Sequence, residues 1–263
     1  MTNNLKDRAS AHPGTSTQFH PTRQGGTPPN PAWSEQKAQP SEHAKESAMN
    51  DLKTSAPAAL NVQEAALVQI SAHTASGNLA ALEGALRTGL DVGLTVNQIK
   101  TALEQLYAYC GFPRSLNGIN TLRTVLDVRS QQGIKDPIGQ TYEPIEGGDR
   151  YERGRATLER LTKVAQAKPA PGFGEFSPEI DRFLKEHLFA DIFDNPVLNH
   201  QQRELVTIAA LAAMEGVTPQ LKAHVDMGRN TGLTDAQLTQ AAVLIEAAIN
   251  KAQADQLRQL IGQ

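Results

Sequence analysis

The chain has 263 residues, a formal net charge of −3, 5% aromatic residues and one cysteine. That length supports a sizeable core, the charge leaves no basic footprint for nucleic acid, and a lone Cys110 excludes an intrachain disulfide and a cysteine-built zinc site. No apolar run approaches the ~18 residues of a membrane span, the first residues lack the apolar stretch of a secretory signal, and a reducing, cytoplasmic compartment is expected.

Residues 1–58 read as a disordered arm. The stretch FHPTRQGGTPPNPAWSEQKAQPSE has proline, glycine and charge but no periodic apolar face, so burial cannot offset the ordering entropy. Trp33 is its one candidate anchor, and Met49 opens an alternative start. The first ordered unit covers 59–132. Ala66, Leu67 and Ile70 mark a helix over Gln63 to His73, and Leu79, Leu82, Leu86 and Leu90 share the face of a second. Thr95 and Gln98 form a capping box for a third. Gly111-Phe112-Pro113 stops that helix, and a fourth follows from Ser115 or Asn117 to about Gln131.

Residues 133–195 form a connector followed by lead-in helices: a charged helix over Asp149 to Ala167, a loop, and a helix capped by Ser177 with Pro178 at its first position. Phe183, Leu184 and Leu188 are expected to face inward. The second unit covers 196–263. Asn199 and Gln202 cap RELVTIAALAAM, which is apolar nearly all round and should be buried. Thr218 is expected to cap the next helix, with Pro219 at its first position. Thr234 caps the last long helix. No strand is expected.

The two units share a repeat. GLDVGLTVNQIKTAL at 89–103 returns as GRNTGLTDAQLTQAA at 228–242, and Gly89, Gly93, Leu94, Thr95 and Gln98 recur at a constant offset of 139. A fixed offset means that one helical unit is used twice. The copies differ at polar positions. The second has Arg203 and Glu204 on its first helix and His224 on the apolar stripe of the next. Antiparallel helices joined by a short turn bring Glu204 and His224 together, and a buried carboxylate beside an imidazole suits proton transfer. Helix-dipole compensation by Glu204 and a satisfied core role for His224 are the alternative. The first copy reads as keeping a carboxylate, Glu64, and has Ala85 in place of His224.

The first copy has instead LYAYCGFPRSLNGINTL at 106–122. Tyr107, Tyr109, Cys110, Arg114 and Asn117 bracket the helix stop and could line a small concavity. Arg114 would suit a carboxylate, because its fork matches two oxygens; a purely structural corner is the alternative. Cys110 is a nucleophile only if its thiol is acidified. Nucleotide-loop, zinc-protease and serine-hydrolase motifs are absent.

At these residues the chain resembles the carboxymuconolactone decarboxylase family, related to alkylhydroperoxidase D. The resemblance lies in RELVTIAALAAMEGVTPQLKAHVDMGRNTGLTDAQL at 203–238 and GLDVGLTVNQIKTALEQLYAYCGFPRSLNGINTL at 89–122, with YERGRATLERL and FADIFDNPVLNHQQREL resembling lead-in segments. It implies an all-α fold of two tandem alkylhydroperoxidase D-like units, assembly as homotrimers or homohexamers, and no metal or organic cofactor. Decarboxylation of a γ-carboxymuconolactone and thiol peroxidase chemistry are the activities it brings. Glu204 and His224 match the family's glutamate and histidine, whereas Gly216 to Gln220 lacks the Cys-x-x-Cys pair. The preferred expectation is a decarboxylase-like enzyme acting on a small carboxylated lactone or related enolisable acid. His224 would be its general acid, Glu204 would orient His224, and Arg203 or Arg114 would hold a carboxylate. A thiol-dependent antioxidant working through Cys110 and a non-catalytic helical binding protein are the rivals.

Overall fold

The computed structural model describes residues 60–262. The expected arm at 1–58, with Trp33 and Met49, lies outside the described residues. Among those described every regular element is helical, and no helix is long and apolar enough to cross a membrane.

Three helices form the first half: α1 (Val62–Ser76), α2 (Leu79–Asp91) and α3 (Val96–Gln131). Local chemistry sets their ends. The Asn61 side chain accepts from the Glu64 amide and the Glu64 carboxylate from the Asn61 amide, closing a capping box. Thr95 and Gln98 do the same for α3. Gly111, at φ 81° and ψ 159°, bends α3 sharply. That conformation is costly for a residue with a Cβ, so the helix stop read from Gly-Phe-Pro becomes a corner between two abutting segments.

Residues 137–140 lie along the start of α3. The Val96 and Asn97 amides donate to the carbonyls of Pro137 and Ile138, both at 2.9 Å. Buried Arg129 grips Asp136 and also reaches Asp91 at 2.8 Å. The charged helix α4 (Arg150–Thr162) ends earlier than its composition suggested, at Lys163 in a left-handed conformation. Two short helices follow, α5 (Phe173–Phe176) and α6 (Pro178–Arg182), and the chain continues as a π-helical segment, Phe183–Ile192.

That segment corrects one expectation: Phe183 is exposed, and Asp181, Lys185, Leu188 and Phe189 turn inward. The physical reason is an ion pair. Lys185 Nζ meets Asp181 Oδ1 at 2.8 Å and donates to Tyr151 Oη at 2.8 Å and the Ala167 carbonyl at 2.7 Å, while Tyr151 donates to Asp181 at 2.6 Å. A buried charge is retained only when so compensated.

The second half repeats the order helix, helix, bent pair: α7 (His200–Ala212), α8 (Thr218–Asn230), α9 (Asp235–Ala248) and α10 (Lys251–Ile261). Capping boxes at Asn199–Gln202 and Thr234–Gln237 start α7 and α9. Thr218 is the first residue of α8 rather than its cap; Val217 holds the cap position without a side-chain bond. Asn250, whose side chain accepts from the Gln253 amide, makes the corner between α9 and α10 without Gly-Phe-Pro. α1 packs against α7, so the two halves share one apolar core. A smaller cluster of Leu158, Leu161, Leu188, Phe189, Phe193 and Met227 joins α4 and the π-helical segment to α8.

Candidate functional site

Every residue of α7 from Arg203 to Ala212 is buried. Glu204 therefore enters the core by its place on the helix. α8 returns antiparallel and carries His224 on its inward face. Glu204 Oε2 and His224 Nδ1 are 2.7 Å apart. A carboxylate accepts, so Nδ1 is the donor in this contact and Nε2 is the ring nitrogen that Glu204 does not engage. The His224 side chain is 8% exposed and that of Glu204 0%. His224 Nε2 has no protein partner among the described residues and is not among the unpartnered atoms shut off from solvent, whereas Glu204 Oε1 is. The pair thus presents one accessible nitrogen, oriented by one buried carboxylate.

Gly228 permits this approach. A Cβ there would stand 2.9 Å from Leu233 Cδ1, 3.0 Å from Ile208 Cδ1 and 3.7 Å from Glu204 Cβ. A larger residue would push α8 off α7.

Of the first-half candidates, Tyr109 reaches the pair. Its ring meets His224 edge-on, with centroids 5.2 Å apart and planes at 81°. Its hydroxyl is buried without a well-formed hydrogen bond, near Thr207 and the Glu204 carboxylate. Burial, then the Glu204 charge, push its ionisation far upward, so it stays a neutral phenol. Arg203 is fully buried under the same group of side chains. It donates to Gln105 Oε1 at 2.7 Å and to the Asn195 carbonyl, and its guanidinium lies 5.4 Å from the Phe193 ring centroid. Gln105 returns bonds to the Arg203 carbonyl at 3.0 Å and Thr207 Oγ1 at 2.8 Å. Burial pushes Arg203 down to about 10, and it makes no ion pair among the described residues.

Tyr107, Cys110, Arg114 and Asn117 are not brought to the pair. Tyr107 stacks on Phe112 at 4.5 Å and lies 5.5 Å from His187. Cys110 Sγ donates to the Leu106 carbonyl at 3.2 Å, and burial pushes its thiol up, which favours the unreactive form. Arg114 and Asn117 are exposed beyond the bend in α3. Sequence reasoning missed Gln105, Thr207 and His200. Nothing local ties Gln105 to Arg203, but His200 stands one helical turn before Glu204, a spacing that was there to be read.

The first half carries no equivalent pair among the described residues, and the reading of Glu64 as its carboxylate is corrected. Glu64 closes the capping box of α1, the place that Gln202 takes in α7. A Cβ at Gly89 would meet Ile70, Leu94 and Ala66; one at Gly228 would meet Ile208, Leu233 and Glu204. Ala66 therefore corresponds to Glu204, as Ala85 does to His224. Both alanines are buried.

The described residues form surface clefts, two of which border α7 or the segment that leads into it. One, of about 500 Å3, lies between the end of α4, the start of α7 and the end of α8. The other, of about 270 Å3, lies between α3, residues 140–142 and Asn195. Neither Glu204 nor His224 is on their walls. No group of His, Cys, Asp and Glu that could hold a metal occurs among the described residues.

Residues 178–261 match the model of the carboxymuconolactone decarboxylase family. The matched span runs from α6 to α10 and includes both Glu204 and His224. No curated protein sequence matches the chain.

Proposed function

We propose, from the match of residues 178–261 to the carboxymuconolactone decarboxylase family model, that the chain is a proton-transfer enzyme acting on a small carboxylated lactone or a related enolisable acid. The observation that carries this reading is the 2.7 Å contact between Glu204 and His224 that leaves Nε2 free. In the proposed reaction the bond between the substrate carbon and its carboxylate breaks and carbon dioxide leaves. The electron pair passes to the lactone carbonyl as an enolate. His224 takes up a proton at Nε2 from water, gives it to the carbon and returns to the neutral imidazole, while Glu204 stabilises the transient imidazolium and fixes its direction. Arg203 acts as a strut in this scheme, holding α7 to α3 through Gln105. We further propose that both halves are units of this family, that the protein works as a homo-oligomer in the cytoplasm, and that only the second half is reactive.

Two observations weigh against a thiol route through Cys110: its thiol is pushed toward the protonated form, and the chain has no second cysteine to resolve a sulfenic acid. A helical binding protein is the other rival reading. Turnover measured with a panel of carboxylated lactones separates these readings. His224→Ala should abolish carbon dioxide release, and Cys110→Ser should leave it unchanged. No turnover by the wild type would favour the binding protein, and peroxide reduction lost in Cys110→Ser would favour the thiol.

A further inference from the structure

The larger cleft has an unusual charge balance. Arg160 and Lys163 come from the end of α4 and His200 from the start of α7, and no carboxylate lies on the wall. Most arginines among the described residues sit in ion pairs, as Arg87, Arg129, Arg153 and Arg258 do. Arg160 and Lys163 have none among the described residues. The one hydrogen bond of the Arg160 guanidinium among those residues is to a neutral group, Thr157 Oγ1 at 3.0 Å. Unpaired cations gathered on a concave wall focus a positive potential there, even in a chain of net charge −3.

The walls are tied together before any ligand arrives. Asn230 at the end of α8 donates to the Leu161 carbonyl at the end of α4, at 2.8 Å. His200 is half-buried. Its protonation is depressed by burial first, then by Arg160 from α4 and Arg203 from α7; Glu204 on α7 and the Phe193 backbone act the other way. It already senses the charge that an anion would neutralise.

We propose that this cleft binds a small oxyanion of two or more charges, carboxylate or phosphate in chemistry, held by Arg160, Lys163 and His200. Arg160 supplies a fork that matches two oxygens, Lys163 a mobile point charge, and His200 a ring nitrogen that donates once protonated. The volume of about 500 Å3 suits a molecule the size of a small organic acid. The site stands whether or not the Glu204–His224 pair turns over a substrate.

The test is isothermal titration of the full chain with citrate and, separately, inorganic phosphate at low ionic strength. The wild type should bind at least one of them saturably, one per chain. Binding of citrate alone assigns the site to carboxylates, and of phosphate alone to phosphate groups. Arg160→Gln with Lys163→Gln should weaken binding by about tenfold or more. Both residues are exposed, so the fold should hold. Arg123→Gln with Lys135→Gln removes the same charge from exposed positions outside the cleft and should leave binding within about twofold, as expected for screened distant charges. Binding should also raise the pH at which the His200 ring titrates by NMR, and the cleft double variant should lose that shift. The proposal is overturned if neither anion binds saturably, or if the control variant loses as much affinity as the cleft variant.

Discussion

Ala66 occupies in the first half of the fold the position that Glu204 holds in the second. The two glycines that face them, Gly89 and Gly228, stand against matching leucine and isoleucine side chains. One backbone geometry therefore carries a buried acid–imidazole pair in one half and two alanines in the other. An unpaired buried carboxylate costs several kcal/mol. Ala66→Glu should accordingly destabilise the protein by about 3 kcal/mol, and adding Ala85→His should recover part of that loss. Denaturant unfolding of the two single variants and the double variant measures the coupling. Additive losses would mean that the two halves do not superpose at these positions.

Within the second half, Glu204→Gln keeps the shape but removes the charge that orients His224. The amide can present its N–H to Nδ1 and favour the wrong tautomer. On the proposed function, kcat should fall by about a hundredfold or more with little change in KM, since proton transfer contributes ~10²–10⁴ to rate. Steady-state kinetics against His224→Ala would show whether the two losses are non-additive, as expected for residues acting as a unit.

Gly154 holds α4 against the π-helical segment. A Cβ there would fall 1.7 Å from the Lys185 carbonyl oxygen and 2.5 Å from its carbon. These are backbone atoms and cannot swing away. Gly154→Ala should destabilise by about 3 kcal/mol, toward the upper end of overpacking costs, and lower Tm accordingly. An unchanged Tm would contradict the close approach of the two elements.

The Lys185–Asp181–Tyr151 cluster makes a different prediction. Burial pushes Asp181 up, but hydrogen bonds from Lys185, Tyr151 and the Ala170 amide outweigh it and hold the carboxyl below its ordinary value. Lys185→Met leaves that carboxylate buried without its cation and should cost about 3–5 kcal/mol. Lys185→Met with Asp181→Leu removes both charges and should cost less than the single change. Thermal unfolding of the pair decides it.

Stability should also fall on mild acidification. His73 is buried with an unpartnered Nδ1, and burial lowers its pKa below the ordinary 6.5. His200 is lowered too, by burial and then by Arg160 and Arg203. Below pH 6.5 the unfolded chain takes up protons that the folded chain refuses, so stability decreases as pH falls through that value. His73→Gln with His200→Gln should flatten the dependence between neutral pH and pH ~5, where both imidazoles titrate in the unfolded chain. Chemical denaturation at stepped pH values would reveal a slope that persists in the variant, and with it a different source.

The helical architecture, most helix starts and the meeting of Glu204 with His224 follow from the order of residues along the chain. Caps such as Thr95–Gln98 and Thr234–Gln237 are settled within one turn of chain, and an apolar stripe names the face that a helix buries. The pair was legible because a short turn joins its two helices, which leaves few ways for them to pack. Other contacts depend on how distant helices pack. Gln105 and Arg203 are 98 residues apart, and only the packing of α3 against α7 makes them partners. Tyr107, two residues before Tyr109, lies about 200° round the same helix, and only the packing of α3 against α7 brings the Tyr109 side to His224. Lys185 turns inward against its hydropathy because Asp181 and Tyr151 await it there. Ala66, rather than Glu64, emerges as the counterpart of Glu204 because spatial equivalence is set by the packing around Gly89 and Gly228, which a linear offset does not record.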